Sequence, residues 1–264
     1  MTAAAESGTY VYCVVHAPRR PSLNRGLPGI PEAAPPQVIS VASRLFAIVS
    51  ELPLDIYGPG ALEPRLHDLD WVASVAIAHE RLVEQLARRP SHTVIPMKLF
   101  TMFSSVESAA ADIRRRGAAL LAIARRIAGC DEWGVRIMRD VERSGSPASA
   151  PNRPMDSGTA FLKARKAARD TVRRARAESL AAADAAFLHL RRFSRDVRRR
   201  HLEREAGTNP PILDAALLVR RERRTAFRAE VHRQAALCRD AGARLVLTGP
   251  WPAYNFVEAS GDRR

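Results

Sequence analysis

The period of the hydrophobic pattern changes along the chain, and the changes divide it into elements. Tyr10 to His16 is a run of β-branched and aromatic residues that reads as a strand. Residues 17–36 (APRRPSLNRGLPGIPEAAPP) are so dense in proline and glycine that they predict a loop. Gln37–Ala42 and Arg44–Ser50 are two further β-prone runs, the second closed by Pro53 and Gly58-Pro59-Gly60. From Ala61 to Arg89 the spacing turns helical. Leu62, Leu66 and Leu69 form one predicted inward stripe, and Val72, Val75, Ala76, His79, Leu82, Val83 and Leu86 continue it. Asp70 is the expected N-cap between a short helix and a long one. Thr93–Pro96 reads as a strand, and an apolar run continues to Phe103. Ser104 with Glu107 then predicts a capping box for a helix that runs to about Ala128, where Gly129 ends it.

The second half repeats the alternation on a larger scale. Asp131–Asp140 is a strand, and 143–157 is rich in serine, proline and alanine, as linkers are. A helix is predicted from Gly158 to about Glu205, with Val172, Ala175, Ser179, Ala182 or Ala183, Ala186, Leu190, Phe193 and Val197 on its inner stripe. Small residues fill the first half of that stripe, which predicts a close helix neighbour there. Pro210 and Pro211 stop the helix, Ile212–Arg220 is a strand, Glu222–Arg239 a helix, and Leu245–Leu247 the last strand. The order β-α-β-α-β fits a ferredoxin-like sheet that has lost or displaced one strand. The predicted architecture is therefore α+β in two domains. Residues 1–130 form an N-terminal mixed α+β domain, and 131–264 a C-terminal modified ferredoxin-like domain with one very long Arg-rich helix, about 158–205, after a linker at 141–157.

At 264 residues and 46% apolar composition the chain can fill a real core. No run of about eighteen uncharged apolar residues is present, which predicts that no segment spans a membrane. The start MTAAAESGTY lacks the basic and apolar regions of a signal peptide, so a cytoplasmic location is expected. Cys13, Cys130 and Cys238 are scattered and form no CxxC pair, the pattern of buried free thiols. Net charge is +14, and residues 131–264 carry 28 Lys and Arg against 17 Asp and Glu, so +11 of it lies in that half. Such a field draws an acidic partner, nucleic acid or an anionic membrane surface. Nucleic-acid binding through the basic helix is the alternative function, although Asp170, Glu178, Asp184 and Asp196 interleave with its arginines and the strands lack an aromatic ladder.

The chain carries no phosphate-cradling glycine loop, no nucleophile elbow and no kinase set. His79 followed by Glu80 lacks the second histidine of HExxH, so a packed, hydrogen-bonded histidine is expected rather than a zinc ligand. No metal, nucleotide or covalent cofactor is expected, and no catalytic activity.

The closing stretch, Leu245 to Phe256 (LVLTGPWPAYNF), feeds an apolar strand into two prolines that flank Trp251. The prolines fix φ and stop the strand, leaving a rigid aromatic run. Trp251 is expected in the C-terminal core, with Tyr254 and Phe256 free for contact beyond the turn. Trp251, Tyr254 and Phe256 are the candidate partner-binding residues. LTGPWPAYNF also resembles the C-terminal signature of the gas vesicle protein F/L family (GvpF/GvpL). Five more blocks agree in order: TYVYCVV at 9–15, LFAIVSELP at 45–53, VIPMKLFTMF at 94–103, EWGVRI at 132–137 and GTAFLKAR at 158–165. Two positions depart from it, Cys13 where a small residue such as glycine is expected and Phe100 where many members have glycine. The resemblance implies a minor gas vesicle protein needed for vesicle assembly. Its implied partners are the small hydrophobic shell protein, held soluble or nucleated into the shell, and other accessory proteins, and its implied place is the gas vesicle.

Overall fold

The computed structural model describes residues 6–24, 26–140, 158–200 and 211–257. The linker expected at 141–157 and the helix end expected at 201–205 lie outside the described residues. The fold is α+β, and its contacts divide the chain into two units: Met1–Cys130 with Trp251–Arg264, and Asp131–Pro250. The closing segment thus joins the first unit rather than the second, where its place in the sequence puts it.

In the first unit the order is β1 (Ser7–His16), β2 (Gln37–Ala42), β3 (Leu45–Pro53), α1 (Leu54–Tyr57), α2 (Pro59–Arg65), α3 (Leu69–Ala87), β4 (Thr93–Pro96), β5 (Met102–Phe103), α4 (Val106–Arg115) and α5 (Gly117–Ile127). The sheet runs β2-β3-β1-β4, with β5 also paired to β1. Strand β1 is antiparallel to β3, β4 and β5. It is buried without a break from Gly8 to Val15. That is why its sequence is continuously apolar instead of alternating: both faces are covered. Val75, Leu82, Val83 and Leu86 of α3 join Tyr10, Tyr12 and Val15 of β1 and Ile48 of β3 in one core cluster. Each such side chain contributes about 1.5–3 kcal/mol by leaving water.

Several local expectations shift. The N-cap of α3 is Asp68, not Asp70: its carboxylate accepts the N–H groups of Asp70 and Trp71, both at 3.1 Å. Either aspartate has the chemistry, and the extended backbone at Asp68 decides which one uses it. The capping box is Ser105 with Ser108, one residue beyond Ser104 and Glu107, each hydroxyl accepting the other residue's N–H at 3.1 Å. The single helix expected up to Ala128 is two, parted at Arg116 before Gly117. Leu66 and Leu69, placed inward by spacing, are 43% and 78% exposed. The chain turns between α2 and α3, so the two helices do not share one stripe.

The second unit runs β6 (Cys130–Arg139), α6 (Gly158–Arg191), β7 (Ser194–Arg199), β8 (Pro211–Arg220), α7 (Arg224–Asp240) and β9 (Ala243–Trp251), with sheet order β7-β8-β6-β9. This is the β-α-β-β-α-β order of a ferredoxin-like fold. The strand that sequence reading takes as lost is β7, hidden inside the overlong helix prediction. Helix α6 stops at Arg191, and Ser194–Arg199 pairs antiparallel with β8, Val197 opposite Leu217. Phe193 and Val197 continue a helical spacing, but strand pairing overrides it, as tertiary context does with weak local preference. Alternate residues Trp133, Val135 and Ile137 of β6 and Leu213, Ala215, Leu217 and Val219 of β8 form one core with Ala183, Ala186, Phe187 and Leu190 of α6 and Phe227, Val231 and Cys238 of α7. Asp214, nearly buried, is held by Arg136 at 2.7 Å and Arg200 at 3.4 Å.

Candidate functional site

Strand β9 runs through Gly249 and Pro250 to Trp251, the first of the candidate aromatics, and a turn with the other two follows. Gly249 has φ 110, a left-handed conformation that only glycine adopts without strain, and the Gly249–Pro250 bond is cis. Trp251 follows and is 44% exposed. Pro252 and Ala253 are buried, and a 3-10 turn over Tyr254–Phe256 is closed by Tyr254 N–H donating to Pro252 O at 2.8 Å and Phe256 N–H to Ala253 O at 3.0 Å. Phe256 is fully buried, and its carbonyl accepts from the Arg126 guanidinium. The expected roles are therefore exchanged. Trp251 is the last residue of β9, which continues through Pro250 where the prolines were expected to stop it, and its ring is exposed there, while Phe256 is buried in the first unit and Tyr254 is partly buried against that unit's cluster.

Under Tyr254 lies a buried polar and aromatic group. The Tyr10 hydroxyl meets His79 Nδ1 at 2.8 Å, and the Tyr10 and Tyr12 rings stand edge-on with centroids 4.8 Å apart. The Tyr12 hydroxyl pairs with Ser50 Oγ at 3.0 Å and accepts the Ile30 N–H at 2.9 Å. The His79 and Tyr254 rings are 6.4 Å apart. The Glu80 carboxyl and the Tyr254 hydroxyl are also close; both are buried, and neither Glu80 Oε1 nor Tyr254 Oη has a hydrogen-bond partner of normal geometry. Burial pushes His79 down to about 4, against a smaller upward pull from the Met97 backbone. Burial pushes Tyr10, Tyr12 and Tyr254 up, and for Tyr254 the nearby Glu80 adds to the rise. At neutral pH the histidine and the tyrosines are uncharged, so they supply no phenolate and no protonated imidazole. It fastens the closing turn to β1 and α3. His79 is the packed, hydrogen-bonded residue its spacing predicts. Among the described residues no three His, Cys, Asp or Glu side chains gather as a metal site requires.

The exposed surfaces of the first unit are chemically different. Leu69, Ala73 and Ile77 recur at four-residue spacing on the outer face of α3, with Leu66 just ahead of them, and all four are exposed. A second apolar stripe on α3 is legible in the sequence, since the helix carries more apolar residues than one buried face needs. Trp71 is stacked on Phe100, with centroids 6.0 Å apart, and lies 5.5 Å from Tyr57. Phe100 has φ 60. The glycine expected there from the family pattern is thus the residue such a backbone favours. Cys13, the other departure, is fully buried where the β1–β3 register shifts between Val11 and Cys13. Both departures fall on irregular backbone.

A model of the gas vesicle synthesis protein GvpL/GvpF family matches residues 8–258. The chain belongs to the GvpL/GvpF family. It is 29% identical to gas vesicle protein L of Streptomyces sp. (strain CB03234), across 94% of this chain and 92% of the relative. Its fold is similar to the crystal structure of GvpF from Anabaena sp. PCC7120, with TM-score 0.68, 16% identity and coverage of 98% of this chain and 99% of the other. GvpF from Microcystis aeruginosa gives TM-score 0.62 at 16% identity, covering 96% and 99%. The GvpL/GvpF assignment carries a gas vesicle role. Among the described residues no helix is long and apolar enough to cross a membrane.

Proposed function

We propose that this GvpL/GvpF protein takes part in gas vesicle assembly by binding the small hydrophobic shell protein, and that it works as a holding or nucleating partner, not as an enzyme. The observation that carries the reading is the exposed line Leu66, Leu69, Ala73 and Ile77 on the first unit. An apolar subunit that must be kept from self-association needs an apolar surface to lie on, and each exposed Leu or Ile it covers adds about 1.5–3 kcal/mol. Trp251 is the second proposed contact. Large, rigid and exposed, it has the character of an interface anchor. Tyr254 and Phe256 act behind it by holding the turn. We also infer that the two units fold as separate domains, the chain passing between them at Cys130–Asp131 and again at Pro250–Trp251 and not through residues 141–157, which fall within the second unit, and that the protein acts at the growing vesicle.

The test is capture of co-expressed shell protein by the tagged chain. A Leu69→Glu/Ile77→Glu variant is expected to melt like the parent, because both side chains already face water, and to lose most of the captured shell protein. Undiminished capture by this variant would overturn the assignment of this face.

A further inference from the structure

Helix α6 has two halves in different surroundings. Ser179 is fully buried, its hydroxyl donating to Ala241 O at 2.8 Å, and from there to Leu190 the helix packs into the second unit's core. Before Ser179 its described side chains are exposed, apart from half-buried Ala160 and Ala175. At 1.5 Å per residue, 158–178 extends about 30 Å. The small residues of this half predict a close helix neighbour, and among the described residues none covers Phe161, Ala168 and Val172, which stay exposed.

The apolar residues of the projecting half are not scattered. Phe161, Ala168, Val172 and Ala175 keep the three- and four-residue spacing that leads into Ser179, Ala186 and Leu190. They lie on the same side of the helix as the core-facing stripe, continuing it beyond the packed unit. Phe161 is 53% exposed and Val172 37%. The alanines between them leave room for another helix to approach closely. Along one flank of this stripe run Arg165, Arg169 and Arg176, a row set by the same periodicity. Residues 158–178 carry seven Lys and Arg against Asp170 and Glu178. Within the stretch Asp170 pairs with Arg173 at 3.2 Å.

These features select the occupant. A second copy of this helix would set one arginine row against another, so self-pairing is disfavoured. Nucleic acid would neutralise the arginines but has no need of a spaced apolar stripe beside them. We propose that residues 158–178 are the docking face for an amphipathic helix of a partner protein, one whose apolar stripe is flanked by Asp and Glu. The face is separate from the shell-protein surface on α3, so the proposal does not depend on that reading.

The experiment uses the full chain and fluorescent probes: a three-heptad peptide with Leu and Ala on one stripe and Glu beside it, the same peptide with Lys in place of Glu, a short DNA duplex, and phosphatidylglycerol vesicles. The Glu peptide is expected to bind and the Lys peptide not. Phe161→Ala with Val172→Ala keeps every charge and the helix propensity, and should weaken binding by about tenfold or more. Arg165→Gln with Arg169→Gln should weaken it too and flatten its salt dependence. Circular dichroism verifies that each variant keeps its helix. Failure of the Glu peptide to bind, tighter binding of the duplex or the vesicles, or indifference to the Phe161 and Val172 changes would each overturn the proposal.

Discussion

The Tyr10 hydroxyl on β1 and Nδ1 of His79 on α3 lie 2.8 Å apart, joining residues separated by 69 positions in sequence. Both side chains are buried, Tyr10 fully and His79 to 3% exposure, so this bond ties the longest helix of the first unit to its central strand without a charge. The buried pair specifies one register of helix on sheet, since a neutral imidazole left unpaired there would cost about 1–3 kcal/mol.

His79 should make stability fall with acid. Its folded value is lowered to about 4 against 6.5 for the free side chain. The unfolded chain therefore takes up a proton that the folded chain resists. Stability from this group is complete above about pH 6.5 and is lost as pH falls toward 4, by up to roughly 3 kcal/mol. Glu80, raised by burial, acts with the opposite sign. Urea midpoints at several pH values for the parent and His79→Gln separate the two: the variant should be less stable at pH 7 and visibly flatter between 6.5 and 4. Parallel curves would show that His79 does not drive the effect.

The closing turn should respond oppositely at its two aromatics. Phe256→Ala removes a fully buried ring and should cost about 3–5 kcal/mol. Trp251→Ala removes a ring that is 44% exposed and should shift thermal unfolding far less, while reducing shell-protein capture. Equal destabilisation by the two changes would mean that Trp251 is packed as firmly as Phe256.

Phe100 sets backbone strain against ring packing. At φ 60 a side chain costs roughly 1–2 kcal/mol relative to glycine, while the ring gains from stacking on Trp71. Phe100→Ala loses the ring and keeps the strain, whereas Phe100→Gly loses both. Denaturant titration should rank glycine above alanine by about 1 kcal/mol; the reverse order would place the left-handed backbone elsewhere.

The two halves of α6 should differ in protection. Side chains from Phe161 to Arg176 are exposed apart from half-buried Ala175, and the amides there are expected to exchange hydrogen orders of magnitude faster than those from Ala183 to Leu190. Matching protection would require a partner on the first half already in the purified protein.

Much of the framework was legible in the sequence. The continuous run at Tyr10–His16, the stripe from Val72 to Leu86 and the strand at Ile212–Arg220 are written in local periodicity, because each element buries a face that its own spacing defines. Where an element ends was less legible. Asp68 and Asp70 have the same capping chemistry, as do Ser104 and Ser105, and only the backbone path chooses between them. The candidate site was hardest to read: Trp251, Tyr254 and Phe256 were found as a group, but their individual fates were exchanged.

By itself, then, the sequence determined most of the strands and helices, the uneven charge, and, through six collinear blocks, the family. Tertiary structure alone decided that Ser194–Arg199 pairs with β8 instead of prolonging α6, that Phe256 closes the first unit while Trp251 faces water, and that Phe161, Ala168 and Val172 stay exposed among the described residues. The physical reason is common to all three. Periodicity states which side of an element is apolar, but only the assembled fold states what, if anything, comes to cover it.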